Sequence, residues 1–244
     1  MKTTAFGDTL YQLTRLPRVF PVNAYLVRED DGFTLIDAAL PGSAPAILAA
    51  AQALGAPIVR IALTHAHGDH VGALDELRAA LPAAEVLISA RDARFLAGDM
   101  SLDPDEPQAR LRGQYVKRTT RPTRALAHGN RVGSLEVVAV PGHTPGHVAF
   151  IDRRDGTLIA GDAFQTRGGI AVSGTLRPLF PFPALATWHK PTALESALQL
   201  LALRPSRMAV GHGAVLPEPV AAMERAIATA ERRLSAETKA SHAA

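Results

Sequence analysis

In the first part of the chain, apolar residues recur at the spacings that are typical of strands and of helices. The first forty residues have strand character, and segments 22–27 and 33–37 flank an acidic turn at 29–32, which predicts a hairpin. An Ala- and Leu-rich stretch at 44–54, followed by Gly55, predicts a helix. The pattern then predicts a buried strand, a helix and a second strand, at 58–63, 71–81 and 85–88.

The same kinds of element return in the second half of the chain. Apolar runs predict four strands, at 131–140, 147–151, 157–160 and 169–172. Beyond them the pattern predicts a helix, a strand and a last helix, at 192–203, 207–210 and 218–234. Because each half carries β-rich stretches with flanking helices, we expect an α/β fold in which helices cover sheets, rather than a bundle or a plain sandwich.

Two segments depart from this pattern. Residues 91–124 are polar, contain scattered prolines and are strongly basic in their second half, so we expect an inserted, partly helical, lid-like segment. Residues 235–244 are small and polar, and we expect them to form a flexible tail. The length and the pattern together predict one domain that spans residues 1–244.

Composition limits the classes of protein that the chain can belong to. Of its 244 residues, 47% are hydrophobic and 20% are charged, which predicts a globular chain with a sizeable core. A net charge of +3 is too small to indicate a nucleic-acid partner, and the absence of cysteine excludes disulfides and thiolate ligands. Since neither an export signal nor a long apolar stretch is evident, we expect a cytoplasmic protein without membrane attachment.

Four potential metal ligands lie close together directly after the predicted strand at 58–63. They are His65, His67, Asp69 and His70, in the pattern HxHxDH. Alternate residues of an extended segment point to the same side, so His65 and His67 can face one ion. Asp69 and His70 turn away from them where a helix begins, and can face a second ion. Because four ligands do not complete two tetrahedral sites, we expect further ligands downstream.

Three more candidate ligands follow predicted strands and sit among glycines. His143 lies in Pro-Gly-His-Thr-Pro-Gly-His, Asp162 in Ala-Gly-Asp-Ala, and His212 in Gly-His-Gly. Glycine permits tight turns and close approach of the backbone to a ligand. Because side chains at the ends of adjacent strands converge at one edge of a sheet, we expect these three residues to join the HxHxDH cluster.

In this order, HxHxDH, Gly-His, Gly-Asp and Gly-His-Gly resemble the metallo-β-lactamase superfamily over residues 20–215. The resemblance implies a four-layer αββα fold, in which two mixed β-sheets are flanked by helices and the site lies at one edge of the sheets. The aspartate at position 162 makes the chain most similar to the glyoxalase II-like and lactonase-like hydrolases, which share it as a bridging ligand.

The resemblance also implies a ligand set and a reaction. It assigns two ions per chain, the first to His65, His67 and His143, the second to Asp69, His70 and His212, with Asp162 as the bridge. Zinc is the expected metal, although imidazole and carboxylate ligands also suit iron or manganese. A hydroxide shared by the ions would attack a substrate carbonyl, and Asp69, the candidate catalytic residue, would orient it and carry a proton to the leaving group. The implied activity is hydrolysis of an ester, thioester or lactone bond of a small molecule.

Several substrates of the superfamily are disfavoured by features of the chain. β-Lactamases of classes B1 and B2 use a cysteine, and class B3 lacks the bridging aspartate that Asp162 supplies here. The segment after His212 is too short for the helical domain with which glyoxalase II holds glutathione, so we do not expect glutathione specificity. Many acyl-homoserine lactonases have a tyrosine three residues after the bridging aspartate; here that position is Gln165, in a loop at 164–169 that we expect to shape the pocket.

Two alternative functions, each from a different class of protein, stay open at this point. A persulfide dioxygenase of the superfamily shares HxHxDH but works at a single iron. An RNA nuclease or phosphodiesterase of the same fold would need an exosite arm or extra domain, and aromatic residues interleaved with basic ones, neither of which is evident. The partner we expect is a small-molecule substrate; the oligomeric state is open, and a homodimer is compatible with the sequence.

Other histidines and one aspartate have simpler interpretations. Asp37 ends a predicted strand, and we expect it to support the ligands or form a turn rather than to catalyse. We expect His147 to pack or bond locally, and His189, which follows Trp188, to form the entry of a helix rather than to line the pocket. His128 and His242 have no motif around them, so a surface position is expected for both.

The basic half of the 91–124 segment is interpreted as a solvated face. A sharper hypothesis makes it a wall that favours an anionic substrate, in which case Arg118 and Arg121 would affect anionic substrates more than neutral ones. The residues concerned are Arg110, Arg112, Lys117, Arg118, Arg121 and Arg124.

Overall fold

The N-terminal half of the molecule is a seven-stranded mixed sheet. A computed structural model describes residues 1–242, with side chains through residue 240. The strands follow one another in space in chain order, antiparallel from β1 to β4 and parallel from β4 to β7. They are β1 (Lys2–Phe6), β2 (Leu10–Arg15), β3 (Val22–Glu29), β4 (Gly32–Ile36), β5 (Ile58–Ala62), β6 (Glu85–Ser89) and β7 (Arg124–Leu126).

The C-terminal half contains a six-stranded sheet with the order β15-β14-β11-β10-β9-β8. Its pairs are antiparallel except β11 with β14, which run parallel. A separate two-stranded ribbon is formed by β12 (Phe164–Gln165) and β13 (Ala171–Val172). The strands of the large sheet are β8 (Arg131–Val132), β9 (Leu135–Ala139), β10 (Val148–Asp152), β11 (Thr157–Ile159), β14 (Arg207–Ala209) and β15 (Leu216–Pro217).

Six helices accompany the sheets in the described residues. They are α1 (Ala44–Ala53), α2 (Leu74–Ala80), α3 (Ala90–Ala97), α4 (Phe182–Ala186), α5 (Lys190–Ala202) and α6 (Val220–His242). In residues 1–242, no helix has both the length and the apolar character needed to cross a membrane.

Three separate apolar clusters show how these elements are layered. One lies between the first sheet and helices α1 to α3, a second between the second sheet and helices α5 and α6, and a third between the two sheets. Alternate residues of a strand face opposite sides of its sheet: on β3, Leu26 packs in the first cluster and Tyr25 in the third, and on β10, Ile151 packs in the second and Phe150 in the third. Three buried interfaces make four layers, which confirms the predicted αββα fold.

The segment predicted as an insertion is partly built into the fold. Helix α3 lies at the start of the segment and contributes Phe95 and Leu96 to the first core cluster. The last residue of the segment, Arg124, begins strand β7, which pairs with β6. Within the segment 91–124, the part without a helix or a long strand is residues 98–123, between α3 and β7. The expectation of an insertion therefore applies to this shorter stretch.

The last helix is longer than the sequence predicts. Helix α6 continues to His242, so residues 235–242, for which we expected a flexible tail, are helical in the structure. Ala243 and Ala244, the end of that expected tail, lie outside the described residues.

Candidate metal centre

Seven side chains meet where strands of both sheets end. The segment with HxHxDH follows β5, whereas His143, Asp162 and His212 follow β9, β11 and β14. All of these side chains are buried except Asp69, which is partly exposed. The structure therefore brings together all seven residues that the sequence pattern singles out.

The ligand atoms of these residues form three overlapping groups, and within each group they lie within 4.8 Å of one another. His65, His67 and His143 form one group, and Asp69, His70 and His212 form another, as the resemblance implies. Asp162 joins His65 and His70 in the third. Since its group shares one member with each of the other two, the carboxylate of Asp162 lies between them.

Distances to the carboxylate of Asp162 define this central position. Its Oδ2 lies 3.3 Å from Nε2 of His143 and 3.2 Å from Nε2 of His212. Its Oδ1 lies 3.5 Å from Nε2 of His70. One carboxylate thus faces histidines of both groups, which is the position of a bridging ligand.

Among the residues that the structure describes, three buried polar atoms of the cluster have no hydrogen-bond partner: Nε2 of His65, Nε2 of His70 and Oδ1 of Asp162. Buried nitrogen and oxygen atoms are nearly always hydrogen-bonded, because losing water without a replacement costs free energy. A metal ion would satisfy imidazole nitrogens and a carboxylate oxygen that point at one another. The donor set therefore fits a pair of divalent metal ions.

The second ring nitrogen of most of these histidines is held by a protein group. Nδ1 of His70 bonds to Asp37, Nδ1 of His212 to the carbonyl of Pro21, and Nδ1 of His143 to Ser173, at 2.7 to 2.9 Å. A donor role for Nδ1 leaves Nε2 as the lone-pair atom. Because the carboxylate of Asp37 and the carbonyl of Pro21 can only accept, Nδ1 of His70 and of His212 donates, and Nε2 is the atom left to bind an ion.

His67 is oriented the other way. Its Nε2 bonds to the carbonyl of Arg112 at 2.9 Å, and its Nδ1 lies 3.0 Å from Nε2 of His143. Gly113 makes this contact possible, since a Cβ there would lie 2.3 Å from Nε2 of His67 and the backbone has a φ of +83°. The loop after α3 thus contacts the candidate ligand His67 directly.

Charges in the cluster are set by burial and by neighbours. Burial lowers the pKa of His65 and of His143, so both rings are neutral at pH 7. Burial would raise the pKa of Asp162, but His212 and His70 outweigh it and hold that pKa well below its usual range. Burial would lower the pKa of His70 and of His212, but Asp162 and the neighbouring carboxylates outweigh it and raise both pKa values, so these two rings must lose a proton when they bind a metal ion.

Asp37 supports the centre from behind, as predicted. Its Oδ1 accepts a bond from the backbone N–H of Thr64, and its Oδ2 contacts the hydroxyl of Thr64 and Nδ1 of His70, all at 2.8 Å. Both oxygens are thereby occupied by groups next to or within the HxHxDH segment. The carboxylate is buried and positions a ligand; it does not face the cavity.

A second supporting carboxylate, Asp92 on helix α3, was missed by the sequence patterns. Its Oδ2 accepts bonds from the N–H of Ala66 and the hydroxyl of Thr144, at 2.9 and 2.7 Å, and its Oδ1 accepts the N–H of Gly146 at 2.7 Å. Burial raises the pKa of Asp92 to about 6, so it is ionised at neutral pH. One side chain therefore fastens the loop of His65 and His67 to the loop of His143.

The remaining histidines lie where the simpler interpretations place them. His147 is buried, with Nδ1 near the carbonyl of Val140 and Nε2 accepting the N–H of Asp162, each at 3.2 Å. His189 is the N-cap of α5 and accepts the N–H of Thr192. His128 is exposed, whereas the side chain of His242 lies outside the described residues.

A cavity of about 390 Å³ opens beside the metal centre. Its lining includes His67, Asp69, His143, Asp162 and His212, so five of the seven candidate ligands, among them the candidate catalytic Asp69, can be reached from it. The loop after α3 adds Gly113 and Gln114, which supports the expectation that part of 91–124 covers the site.

The hypothesis of a basic wall and the expectation for the loop at 164–169 do not hold for this cavity, whereas the preferred interpretation of the basic residues as a solvated face does not require them to line it. None of the six basic residues of the 91–124 segment lines it; Arg112 lines a different cavity, next to Lys190 and Arg233. The loop at 164–169 does not line it either, since Thr166, Arg167 and Gly168 border another cavity near Pro21. Gln165 is buried and donates a bond to the carbonyl of Phe180.

The wall comes instead from a segment for which the sequence patterns predicted no element. Helix α4 supplies Phe182, Pro183, Leu185 and Ala186, and Phe20 and Leu40 complete the lining. The available signal was the apolar run 179–186, which is interrupted by two prolines and has the period of neither a strand nor an amphipathic helix.

Comparison with known proteins agrees with this geometry. The family model described as the metallo-β-lactamase superfamily matches residues 17–212. Two Bacillus subtilis proteins are similar over most of their length: the uncharacterized protein YobT, 52% identical over 95% of this chain and 100% of its own, and the "probable metallo-hydrolase" YflN, 32% identical over 78% and 80%.

More distant similarity extends to an enzyme and to a solved structure. A hydroxyacylglutathione hydrolase of Xanthomonas campestris is 34% identical, over 64% of this chain and 51% of that enzyme. The crystal structure of TTHA1623 in a di-iron-bound form is 32% identical, with a TM-score of 0.65, over 86% of this chain and 96% of that one.

Proposed function

Because this chain belongs to the metallo-β-lactamase superfamily, we propose that it is a dinuclear metal-dependent hydrolase that cleaves an ester, thioester or lactone bond of a small molecule. The observation that carries the proposal is the pair of His/Asp groups joined by the carboxylate of Asp162, at the floor of an open cavity. A substrate in that cavity would meet both groups at once.

The two groups define which residues would hold which ion. His65, His67 and His143 would bind the first, and Asp69, His70 and His212 the second, with Asp162 shared. Imidazole and carboxylate suit zinc, but also iron and manganese, and the related TTHA1623 binds two irons. Two ions held there would supply a water of lowered pKa and polarise a substrate carbonyl.

Asp69 is the residue best placed to move a proton. It is the one candidate ligand that is partly exposed, it lines the cavity, and its Oδ2 lies 3.4 Å from Nε2 of His212. Burial would raise the pKa of Asp69, but His70 and His212 outweigh it and lower that pKa, so the group is ionised at neutral pH. An ionised carboxylate at the cavity floor can accept a proton and pass it to a leaving group.

The test is a substrate panel measured with protein of known metal content. Lactones, thioesters, carboxylic esters, β-lactams and phosphodiesters are assayed with zinc-, iron- and manganese-loaded protein. We expect turnover of a carbonyl ester-type substrate with two ions per chain, and loss of that turnover by orders of magnitude in Asp69→Asn. Metal analysis of the variant is needed, because Asp69 is also a candidate ligand.

Two results would contradict the proposal. One iron per chain together with sulfite production would indicate a persulfide dioxygenase. Preferred cleavage of phosphodiesters, with salt-sensitive RNA binding, would indicate a nuclease of the same fold.

A further inference from the structure

The cavity beside the metal centre has two chemically different sides. Five candidate ligands line one part of it, and six apolar residues line another part, which we call the apolar wall: Phe20, Leu40, Phe182, Pro183, Leu185 and Ala186. Four of these six residues belong to the short helix α4. Its volume, about 390 Å³, is that of a small-molecule site.

Aromatic rings connect this wall to the metal centre without a gap. The ring of Phe20 lies 5.3 Å from the ring of His212 and 5.1 Å from that of Phe182. The ring of Phe180 lies 5.4 Å from His212 and 5.2 Å from Phe20. A substrate group that touches the candidate ligand His212 therefore has apolar surface directly beside it.

Two large side chains of the apolar wall are exposed to water. Phe182 is 51% exposed and Leu185 is 58% exposed, although both are large apolar side chains. Leaving such surface in water costs free energy, and contiguous exposed apolar surface often marks a binding site. Because the wall borders the metal centre, the group that covers it is best supplied by the substrate itself.

Charge on the cavity walls argues against an anionic substrate. Apart from the candidate ligands, Gln114 is the one polar side chain among the lining residues that the structure describes, and no lysine or arginine is among them. An anionic group on the part of the substrate that lies against this wall would lose water without gaining a side-chain cation.

We propose that the substrate is an uncharged ester, thioester or lactone that carries an apolar chain, and that this chain lies against helix α4 while the scissile bond faces the metal centre. The inference rests on the proposed hydrolase function and adds the class of the substrate to it. Helix α4 and Phe20 then determine specificity, and the basic segment after α3 does not.

The main experiment measures kcat/KM over a homologous series. Acetyl, butyryl, hexanoyl and octanoyl thioesters with one common leaving group are compared, together with alkyl acetates of the same chain lengths, below their micellar concentrations. We expect kcat/KM to rise by about two- to fourfold per methylene in one of the two series, as partial burial of each methylene predicts. A flat profile in both series would overturn the proposal.

Variants of the wall supply the second comparison. In Phe182→Ser and Leu185→Ser, the rise of kcat/KM with chain length should become shallow. The matched control is Leu198→Ser on α5, since Leu198 is also exposed, at 43%, but does not line the cavity; it should keep the full slope. Equal slopes in all three variants and the unmodified protein would contradict a role for α4.

An anionic substrate and a binding measurement complete the test. A succinyl thioester should be a poorer substrate than its butyryl counterpart, and a preference for succinyl would overturn the proposal. Binding of octanamide and butyramide to the metal-loaded protein, followed by NMR, does not depend on turnover. If no ester-type substrate is hydrolysed but octanamide binds more tightly and loses that advantage in Leu185→Ser, the hydrolase proposal fails and the apolar site stands. Equal binding of the two amides would defeat the apolar site alone.

Discussion

Replacing Asp92 with alanine tests whether one buried carboxylate holds the first group of ligands together. The substitution leaves the N–H groups of Ala66 and Gly146 and the hydroxyl of Thr144 without their acceptor. Each buried donor left without a partner costs about 1–3 kcal/mol, and the relief of no longer burying a carboxylate offsets part of the sum. We expect the free energy of unfolding to fall by about 3 kcal/mol in the metal-free protein.

The ligand groups should respond unequally to the same change. Asp92 fastens the loops of the first group, whereas His70 and His212 are held by Asp37 and by the carbonyl of Pro21. Metal titration, followed by metal analysis after dialysis, should show one ion weakened by roughly 10–100-fold and the other little changed.

Controls separate this positioning role from general destabilisation. Thr144→Val removes a single donor to Asp92 and should cost about 1 kcal/mol in urea unfolding, with both ions retained. If Asp92→Ala unfolds like the unmodified protein, or if both ions weaken equally, the carboxylate does not act selectively on the first group and the reasoning is wrong.

Three further changes have outcomes that follow from the geometry. Burial lowers the pKa of His147 to about 4 from its ordinary 6.5, so the folded protein binds fewer protons than the unfolded chain between these pH values. The difference in free energy of unfolding between the metal-free protein and its His147→Gln variant should therefore shrink by up to about 3 kcal/mol as the pH falls from 6.5 to 4. A difference that does not change with pH in chemical unfolding would contradict this. Gly113→Ala should weaken metal binding by at least about tenfold, because its Cβ would meet a candidate ligand; Gly129→Ala, with a φ of +79° but no atom within 4 Å, should not, and equal losses would point to backbone strain alone. The double change of Arg118 and Arg121 to alanine should alter KM equally for anionic and neutral substrates, because neither side chain lines the cavity, and a selective rise for anions would restore the basic segment as a specificity wall.

Local patterns predicted sheets covered by helices and the candidate ligand segments, whereas the four layers and the assignment of the ligands to two ions followed from the resemblance to the family. Each candidate ligand stands directly after an apolar run, and the glycines beside His143, Asp162 and His212 mark the turns that let strand ends converge. Gly211 illustrates the constraint, since a Cβ there would lie 2.0 Å from Oδ1 of Asp162. The Gly-Asp and Gly-His-Gly patterns are each contained in a few neighbouring residues, although the close approach between them joins distant parts of the chain.

Features built from distant parts of the chain could not be predicted in the same way. Asp92 is an unremarkable residue in the first turn of a helix until the fold brings Ala66 and Thr144 to it from 26 and 52 positions away. Helix α4 has no amphipathic period, because one side of it faces a cavity and not a core. Conversely, the basic residues after α3 formed a clear pattern that has no counterpart in the cavity.

The seven candidate ligands come from both halves of the molecule: four follow a strand of the first sheet and three follow strands of the second. The halves are already fastened beside the site, where the hydroxyl of Tyr25 donates to the carbonyl of Val210 at 2.7 Å and the N–H of Asn23 donates to the carbonyl of Gly211 at 2.9 Å. Ions bound there would cross-link the two sheets, and they would bind more tightly as the sheets dock. Activity would then report the assembly of the whole molecule, and a chain with both sheets intact but slightly parted would lose its metal and its chemistry before it lost its secondary structure.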